Sequence, residues 1–576
     1  MLSVISAVLL FILLALACSR RACARINACA PLARAGNALA AVVHRRHRLL
    51  FVLILAFGVG VRLFRFGMLP RGVNQDGAWA AVEGLCLLRD GTDHLGNSLP
   101  TYFGVWDHAQ MSTLYSYLLV PFIALFGLTR ITMRLPMLLV SIGSMPLFYG
   151  LAKRVAGRTY ALIALLFLAI CPWHIIQSRW ALEANLFPHV LLLGMYLLSK
   201  GCDRKGFLYA AMPVLGLCVY AYGVAAYIVP VILLLAAALL LRAGKASVRQ
   251  VAVCALIYLA VSGPFYMTMA INAFGWDTMH LGPFTMPSFP ESERANDLTI
   301  MQAQPIQAML GGIASVLRTT LLQVFLQADL PNAVPAYRTL YACSPVLLAA
   351  GIFLVAQRRR QVRRGTLGPQ AALDMGLVLA WTGAMLFYGA LTILTNTNRA
   401  NAFFYPLILC LAYAMYWIVR RVKAFAFVLA LVYAVSFAGF ANVYYRDSAY
   451  TRDCAHWFYD GLYDALLFAR DLPAERFYCT QRINNAEPRN VVEGQVMLAH
   501  EIDAAQRAGE RPVIGADGRA YIYADRYAYV DMQKLQIDPG EPAVYIVEEY
   551  ETDLFDPAYF ETRPFAYYAV VWPKSK

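Results

Sequence analysis

Long apolar runs recur along this sequence, and their recurrence limits the fold more than any other feature. Leu49 to Phe64, Leu135 to Leu151, Ala225 to Leu241, Val251 to Ile271, Phe403 to Val419 and Ala424 to Phe440 consist almost wholly of aliphatic and aromatic residues. A helix needs about 20 such residues to cross the roughly 30 Å hydrocarbon core of a bilayer. Within that core the backbone must satisfy its own hydrogen bonds, so such runs become helices. Composition agrees: 60% of the 576 residues are hydrophobic and 15% are charged, against about 25% charged in a soluble domain. The formal net charge is +14, but no nucleic-acid-binding motif accompanies it, and no nucleic-acid partner is expected. The Arg and Lys fall in clusters between alternate runs, which marks cytoplasmic turns. The basic balance therefore reports orientation, and contact with anionic membrane lipid.

Taken in order, Leu2 to Ala17 is apolar and Arg20, Arg21 and Arg25 follow it. A signal peptide has its basic residues first, so this is either an anchor with its N-terminus outside or the product of a mis-assigned start codon. Arg34, Arg45, Arg46 and Arg48 make 1–48 an anchor with a basic cytoplasmic segment. Residues 49–441 form the transmembrane domain, and the whole chain has about 11–12 spans. Its inner turns hold Lys153, Arg154 and Arg158; Lys200, Arg204 and Lys205; Arg242, Lys245 and Arg249; Arg358 to Arg364; and Arg420, Arg421 and Lys423. The outer loops are 66–134 and 272–337. Within them Met111–Phe126 and Gly311–Leu326 read as helices lying at the interface. From Asn442 onward Asp, Glu, Tyr and Arg become common. AERFYCT, PVIG and AYIYA about an Asp517-Gly518 turn, and PAVYIVEEY read as strands. DGLYDALLFARDL and VEGQVMLAHEIDAAQRA read as helices. Residues 442–576 are thus an extracytoplasmic α/β domain beside a mainly α membrane bundle. Cys454 and Cys479 within it are either a disulfide or two free thiols.

The acids concentrate in one place. Asp76, Glu83, Asp90, Asp93, His94, Asp107 and His108 all lie between Pro70 and Gln110. Arg179 with Glu183, the second outer loop with Arg294, and NTNRAN with Arg399 fall at the same face, where helix ends can share a cavity. No nucleophilic triad, P-loop or glycine-rich nucleotide loop stands out. GTDHLG and GVWDH contain metal-capable residues without paired histidine spacing, so a divalent metal stays an open option and no cofactor is implied.

The order of these motifs resembles the bacterial membrane glycosyltransferases of the GT-C superfamily, in particular the protein O-mannosyltransferases and the aminoarabinose transferases acting on lipid A (glycosyltransferase family 39-like). The residues that carry the resemblance are QDGAWAAVEGLCLLRDGTDHLGNSLPTYF, LFGLTRITMRLP, LAKRVAGRTYALIALLFLAICPWHIIQSRWALEANLFP and NTNRANAFFYP. It covers Leu49 to about Phe440 well and the tail loosely. It implies a GT-C fold in a bacterial plasma membrane, a polyprenyl-phosphate sugar as donor and a glycolipid, polymer or protein of the cell envelope as acceptor. Relatives have an Asp-Glu pair early in the first outer loop; here Asp76 matches the Asp, and Gly77 stands where Glu is usual. Glu183 matches a second acidic position, and Arg399 falls near where relatives meet the donor phosphate. A Lys that some relatives carry is replaced in its neighbourhood by Asp107 and His108.

The implied chemistry places Asp76 as the base that takes the acceptor's proton. Arg399 stabilises the leaving phosphate. Glu83, Asp93, His108, Arg179, Glu183 and Arg294 are candidates for substrate binding. Each has a plainer alternative. Asp76 can serve as a helix cap, Arg399 as an interfacial anchor, and Arg179 and Glu183 as an ion pair; His108 and His174 are more readily structural. A transporter of lipid-linked glycans is the alternative from another class, and Gly77 leaves a pseudoenzyme open. A transporter needs ionisable groups or broken helices near the midplane, and the spans read as nearly free of charge.

Overall fold

The structure is a computed structural model that describes residues 2–105, 109–289, 306–307, 310–315, 318, 330–365, 367–391, 397–481, 488–502, 513–514, 520–522 and 526–574. Apolar runs become helices throughout. They are Leu2–Cys18, His47–Leu63, Arg130–Ile170, Glu183–Gly201, Lys205–Ala221, Ala225–Arg242, Val248–Phe274, Pro345–Ala356, Pro369–Leu391, Phe404–Arg421 and Phe425–Tyr444. Among the described residues, 5 helices are long and apolar enough to cross a membrane alone, and 6 if the bent pair Ser3–Cys18 and Arg20–Ala28 is one span.

Arg130–Ile170 covers two of the expected spans. Ala156 and Gly157 leave helical geometry, Gly157 at φ 84°, where glycine avoids a Cβ clash. The two arms fold back on each other. Arg134 of the first donates to Pro70 and Gly72, while Leu168 and Ala169 of the second accept from Arg62, close by in the chain. Phe404–Arg421 runs through the middle: 83% of the apolar window in Asn401–Arg421 is buried by protein, against 28% in Val248–Phe274. The second therefore turns most of its apolar surface outward, as a lipid-facing helix does.

At the end of the bundle that holds Asp76, two outer segments join. The hairpin β1 (Phe103–Val105) and β2 (Ala109–Met111) belongs to the first, and β3 (Met279–Leu281) and β4 (Phe284–Met286) to the second. Thr101 N donates to Thr285 O at 2.9 Å, and Thr285 N to Ser98 O at 3.1 Å. Within the run expected to lie at the interface the structure has the helix Leu114–Phe126. Its 13 residues span about 20 Å, against roughly 30 Å for a hydrocarbon core. The other such run lies largely outside the described residues.

The C-terminal part has a five-stranded sheet in the order β10–β11–β9–β5–β8, with β5 Arg476–Thr480, β8 Tyr527–Val530, β9 Ala543–Glu548, β10 Phe560–Phe565 and β11 Tyr568–Pro573. Strand β5 is parallel to β8 and β9, and β11 is antiparallel to its neighbours. Two short strands, β6 (Val513–Ile514) and β7 (Ala520–Tyr521), pair separately. Side chains alternate as the pleat requires. Phe477, Cys479, Val544, Ile546, Tyr568 and Val570 join the main core with the membrane helices, while Tyr478, Tyr545, Val547, Ala569 and Val571 form a second core. Cys454 and Cys479 are both free and buried.

Candidate functional site

Asp76 owes its position to a helix start. Asn74 is extended (ψ 150°), and its side chain accepts from Asp76 N at 3.1 Å. Asn74 is therefore the cap of the helix Gln75–Arg89, and Asp76 sits in its first turn with a half-buried carboxylate. An acid there gains about 0.3–1 kcal/mol from the helix dipole. Every residue from Gly77 to Leu87 is buried, because the helix is gripped on several sides. A Cβ on Gly77 would lie 2.9 Å from Ala181 O, and one on Gly84 3.1 Å from Ile123. Gly77, where relatives carry Glu, is thus a point of close backbone approach with no room for a side chain. The approach also brings Asp76 beside the segment that leads into Glu183.

Glu183 is the first residue of its own helix, Glu183–Gly201, which begins without a side-chain cap. It is 6% exposed and accepts from the backbone N–H of Ser112. Ser112 Oγ in turn accepts from Gly223 N at 3.0 Å. Across 216 residues of sequence, Asn401 Nδ2 donates to Asn185 Oδ1 at 2.9 Å. Asn401 Oδ1 accepts from Trp173 Nε1 at 2.9 Å. This fixes the turn carrying the half-buried Arg399 against the Glu183 helix. The Gly77–Ala181 approach and the Asn185–Asn401 bond thus set the helix start that carries Asp76, the helix start that carries Glu183 and the turn that carries Arg399 next to one another at one corner, where two helix N-termini contribute positive potential. Tyr459 closes it from the C-terminal part, donating to Gln75 Oε1 at 3.0 Å. Burial and the nearby Asp76 carboxylate push its phenol up to about 12.

The remaining expected residues lie apart from this corner. Glu83 is fully buried and accepts from the backbone N–H of His94 at 3.0 Å and from its Nδ1. Asp93, also buried, accepts from Asn97 N at 2.7 Å, Leu95 N at 3.0 Å and Asn97 Nδ2 at 2.9 Å, closing the loop that follows. Burial and the Glu83 charge raise its carboxyl to about 6. Arg179 turns to the C-terminal carbonyls of His47–Leu63 and the residues just beyond, donating to Arg62 O at 3.0 Å and Val61 O at 3.3 Å and to Phe64 O. It lies over Tyr445 at 5.0 Å and makes no ion pair with Glu183. Helix carbonyls that lack a partner account for it. His108 and Arg294 lie outside the described residues.

The spans are less free of charge than the sequence suggests, which corrects that expectation. Arg62 is 0% exposed and donates to Gly58 O at 2.8 Å, Leu168 O at 3.0 Å and His174 Nδ1 at 3.0 Å. His174 Nε2 lies 3.0 Å from both Tyr405 Oη and Ser144 Oγ. Tyr405 Oη donates to Ser144 Oγ at 2.7 Å and receives His189 Nδ1 at 2.8 Å; His189 Nε2 faces Ser141 Oγ at 3.1 Å. The Arg62 charge holds His174 Nδ1 as an acceptor, so its proton sits on Nε2. Both imidazoles are satisfied in their neutral forms. Tyr405 is two residues beyond the Asn401–Phe403 turn, so this network lies next to the Arg399 corner. An isolated His in CPWHII or NLFPHV gives no sign that four distant segments will converge on it.

Among the described residues, no group of three or more His, Cys, Asp or Glu side chains could hold a metal ion.

Residues 107–267 match the family described as dolichyl-phosphate-mannose-protein mannosyltransferase. No curated protein matches the chain. Among solved structures it is similar to ArnT from Cupriavidus metallidurans bound to undecaprenyl phosphate, with 14% identity over 91% of this chain and 97% of that one and a TM-score of 0.51. It is also similar to the oligosaccharyltransferase AglB from Archaeoglobus fulgidus in complex with an inhibitory peptide and a dolichol-phosphate, with 14% identity over 80% of this chain and a TM-score of 0.48. The chain spans 64% of that structure's length. The fold is the GT-C membrane fold, with a C-terminal sheet domain added, and the resemblance to the mannosyltransferase and ArnT-like proteins holds.

Proposed function

We propose that the protein is a membrane glycosyltransferase that moves a sugar, a hexose or a pentose, from a polyprenyl phosphate to a cell-envelope acceptor at the extracytoplasmic face of a bacterial plasma membrane. One observation carries the reading: the three distant segments that bear Asp76, Glu183 and Arg399 adjoin, through the close approach of Gly77 to Ala181 and the Asn185–Asn401 bond at 2.9 Å. The donor and acceptor classes are drawn from the proteins it resembles. Asp76 is half-exposed at a helix start, within reach of solvent, and takes the proton of the acceptor hydroxyl. The hydroxyl oxygen forms a bond to the anomeric carbon as the bond from that carbon to the phosphate oxygen breaks. The carrier leaves as a phosphate monoester, so little acid help is needed. Arg399 and the helix N-termini take up its negative charge. Glu183 orients sugar or acceptor hydroxyls, and Glu83 and Asp93 hold the loop that follows the Asp76 helix. An apolar prenyl tail gains about 0.8 kcal/mol per buried methylene against the lipid-facing helices.

The test is purified protein supplied with a nucleotide sugar or with its polyprenyl-phosphate counterpart, both labelled. Transfer from the nucleotide sugar without any lipid carrier would overturn the reading. Mass spectrometry of envelope glycans with and without the gene identifies sugar and acceptor. The buried Arg62, His174 and Tyr405 network is what a transporter of lipid-linked glycan would also use. Movement of intact glycan-lipid across liposomes without cleavage would favour that second reading.

A further inference from the structure

The N-terminal 48 residues hold seven arginines and no acid; the first carboxylate of the chain is Asp76. The structure shows where that charge lies. Leu2–Cys18 runs the length of the bundle, from Ser3 Oγ donating to Ala336 O at the Asp76 end to Cys18 at the other. There the chain bends by 96° into Arg20–Ala28, continues as Ala30–Arg45 and re-enters the bundle as His47–Leu63. The two intervening helices are held against the basic end of the bundle. Asn27 Nδ2 donates to Arg421 O at 3.0 Å, and Lys423 Nζ donates to Asn37 Oδ1 at 2.7 Å. A Cβ on Gly36 would lie 2.8 Å from Ala424 N.

Both helices bury one residue against the bundle, and Ala30–Arg45 also exposes apolar side chains. Cys23 and Gly36 are buried against the bundle, while Leu32 and Val42 remain 45% and 49% exposed. Arg20, Arg21, Arg25, Arg34, Arg45, Arg46 and Arg48 are all exposed. Among the described residues, none of them pairs with a carboxylate. Arg360, Arg363 and Arg364 add exposed charge at the same end, where Gln361 accepts from Tyr413 of the central helix at 2.7 Å. Unpaired arginines beside exposed apolar residues, on helices that join two spans, match a surface that is anionic above and apolar below. The apolar stems and side chains enter the acyl boundary, and the guanidinium groups stay at headgroup level.

We propose that residues 20–48 form a docking platform for anionic phospholipid headgroups of the cytoplasmic leaflet, which holds the N-terminal anchor and the central helix end in register. Guanidinium forks match phosphate oxygens bidentately, and the attraction falls with salt over about 8 Å at physiological ionic strength.

The test uses the full-length protein in mixed micelles with fluorescent phosphatidylglycerol or fluorescent phosphatidylcholine, and a variant carrying Arg20→Gln, Arg21→Gln, Arg25→Gln and Arg34→Gln. A second variant, Arg45→Gln with Arg46→Gln and Arg48→Gln, covers the case in which the first does not fold; a thermal midpoint in neutral detergent reports folding. The expected result is a preference of about tenfold for phosphatidylglycerol in the native protein. It should shrink by several-fold in either folded variant and at 0.5 M salt, a concentration where the screening length is only about 4 Å. Equal preference in native and variant proteins would overturn the proposal. So would a variant with unchanged lipid preference that nevertheless loses function in cells, since that would assign the arginines to a protein partner.

Discussion

At the scale of single residues, the candidate site depends on carboxylates in different environments. Asp76 sits at a helix start, half-open to solvent; Asp93 is shut inside a loop. Asp76→Asn keeps shape and removes the base, so turnover in membranes should fall by about a hundredfold or more while expression is unchanged. Near-native turnover would remove Asp76 from the mechanism. Asp93 makes a prediction about pH. Its carboxyl is raised from 3.8 to about 6, so the folded state holds a proton that the unfolded chain has released across that interval. Stability from this group therefore falls as pH rises from about 4 to about 6, and the loss is complete above it. Asp93→Asn removes the dependence. Its thermal midpoint relative to the native protein should climb over that interval, and a constant difference would show that burial does not perturb this carboxyl.

At the scale of elements, helices are placed by polar contacts at their ends and by glycines along them. Gly77 and Gly84 let Gln75–Arg89 approach Ala181 and Leu114–Phe126. Arg179 and Arg62 satisfy carbonyls that a helix end leaves open. The Tyr405 network unites His47–Leu63, both arms of Arg130–Ile170, Glu183–Gly201 and Phe404–Arg421. Tyr405→Phe would leave His189 Nδ1 without its acceptor, while His174 Nε2 keeps Ser144 Oγ; the orphaned buried donor costs about 1–3 kcal/mol. We expect a lower thermal midpoint together with a raised donor KM, because the Asn401 turn that carries Arg399 loses its support. A lowered midpoint with unchanged kinetics would confine the network to stability.

At the scale of the whole molecule, the C-terminal part continues the membrane core. Gln495 Nε2 donates to Val73 O at 2.6 Å, Arg89 donates to Glu501 Oε2 at 2.7 Å, and a Cβ on Gly494 would meet Trp79 at 2.8 Å. The helix Pro488–His500 therefore backs the helix that carries Asp76, and Tyr459 closes its first turn. Such contacts require both parts on one side of the membrane. Reporter fusions at Gly96, Gly282 and Gly518 should all read extracytoplasmic. A cytoplasmic reading at Gly518 alone would separate the tail from the Asp76 loop and contradict the packing of Pro488–His500 on Gln75–Arg89.

The amino-acid sequence alone determined the class of the protein. Apolar runs can only become helices in a bilayer, and the strand and helix assignments of the tail followed from periodicity that survives without knowledge of neighbours, as in β5 within AERFYCT and β9 within PAVYIVEEY. The acids at one face were visible as well, because they interrupt apolar sequence. Which of them share a corner was not. Asn185 and Asn401 are 216 positions apart, and no local pattern encodes their hydrogen bond. The tight space around Gly77 was equally hidden, since a glycine in a helix looks the same whether it faces solvent or Ala181. Arg179 looked like a partner for Glu183 four residues on, yet the open carbonyls of another helix claim it. Tertiary structure decided these points, because a buried polar group is placed by whichever donor or acceptor the fold brings to it.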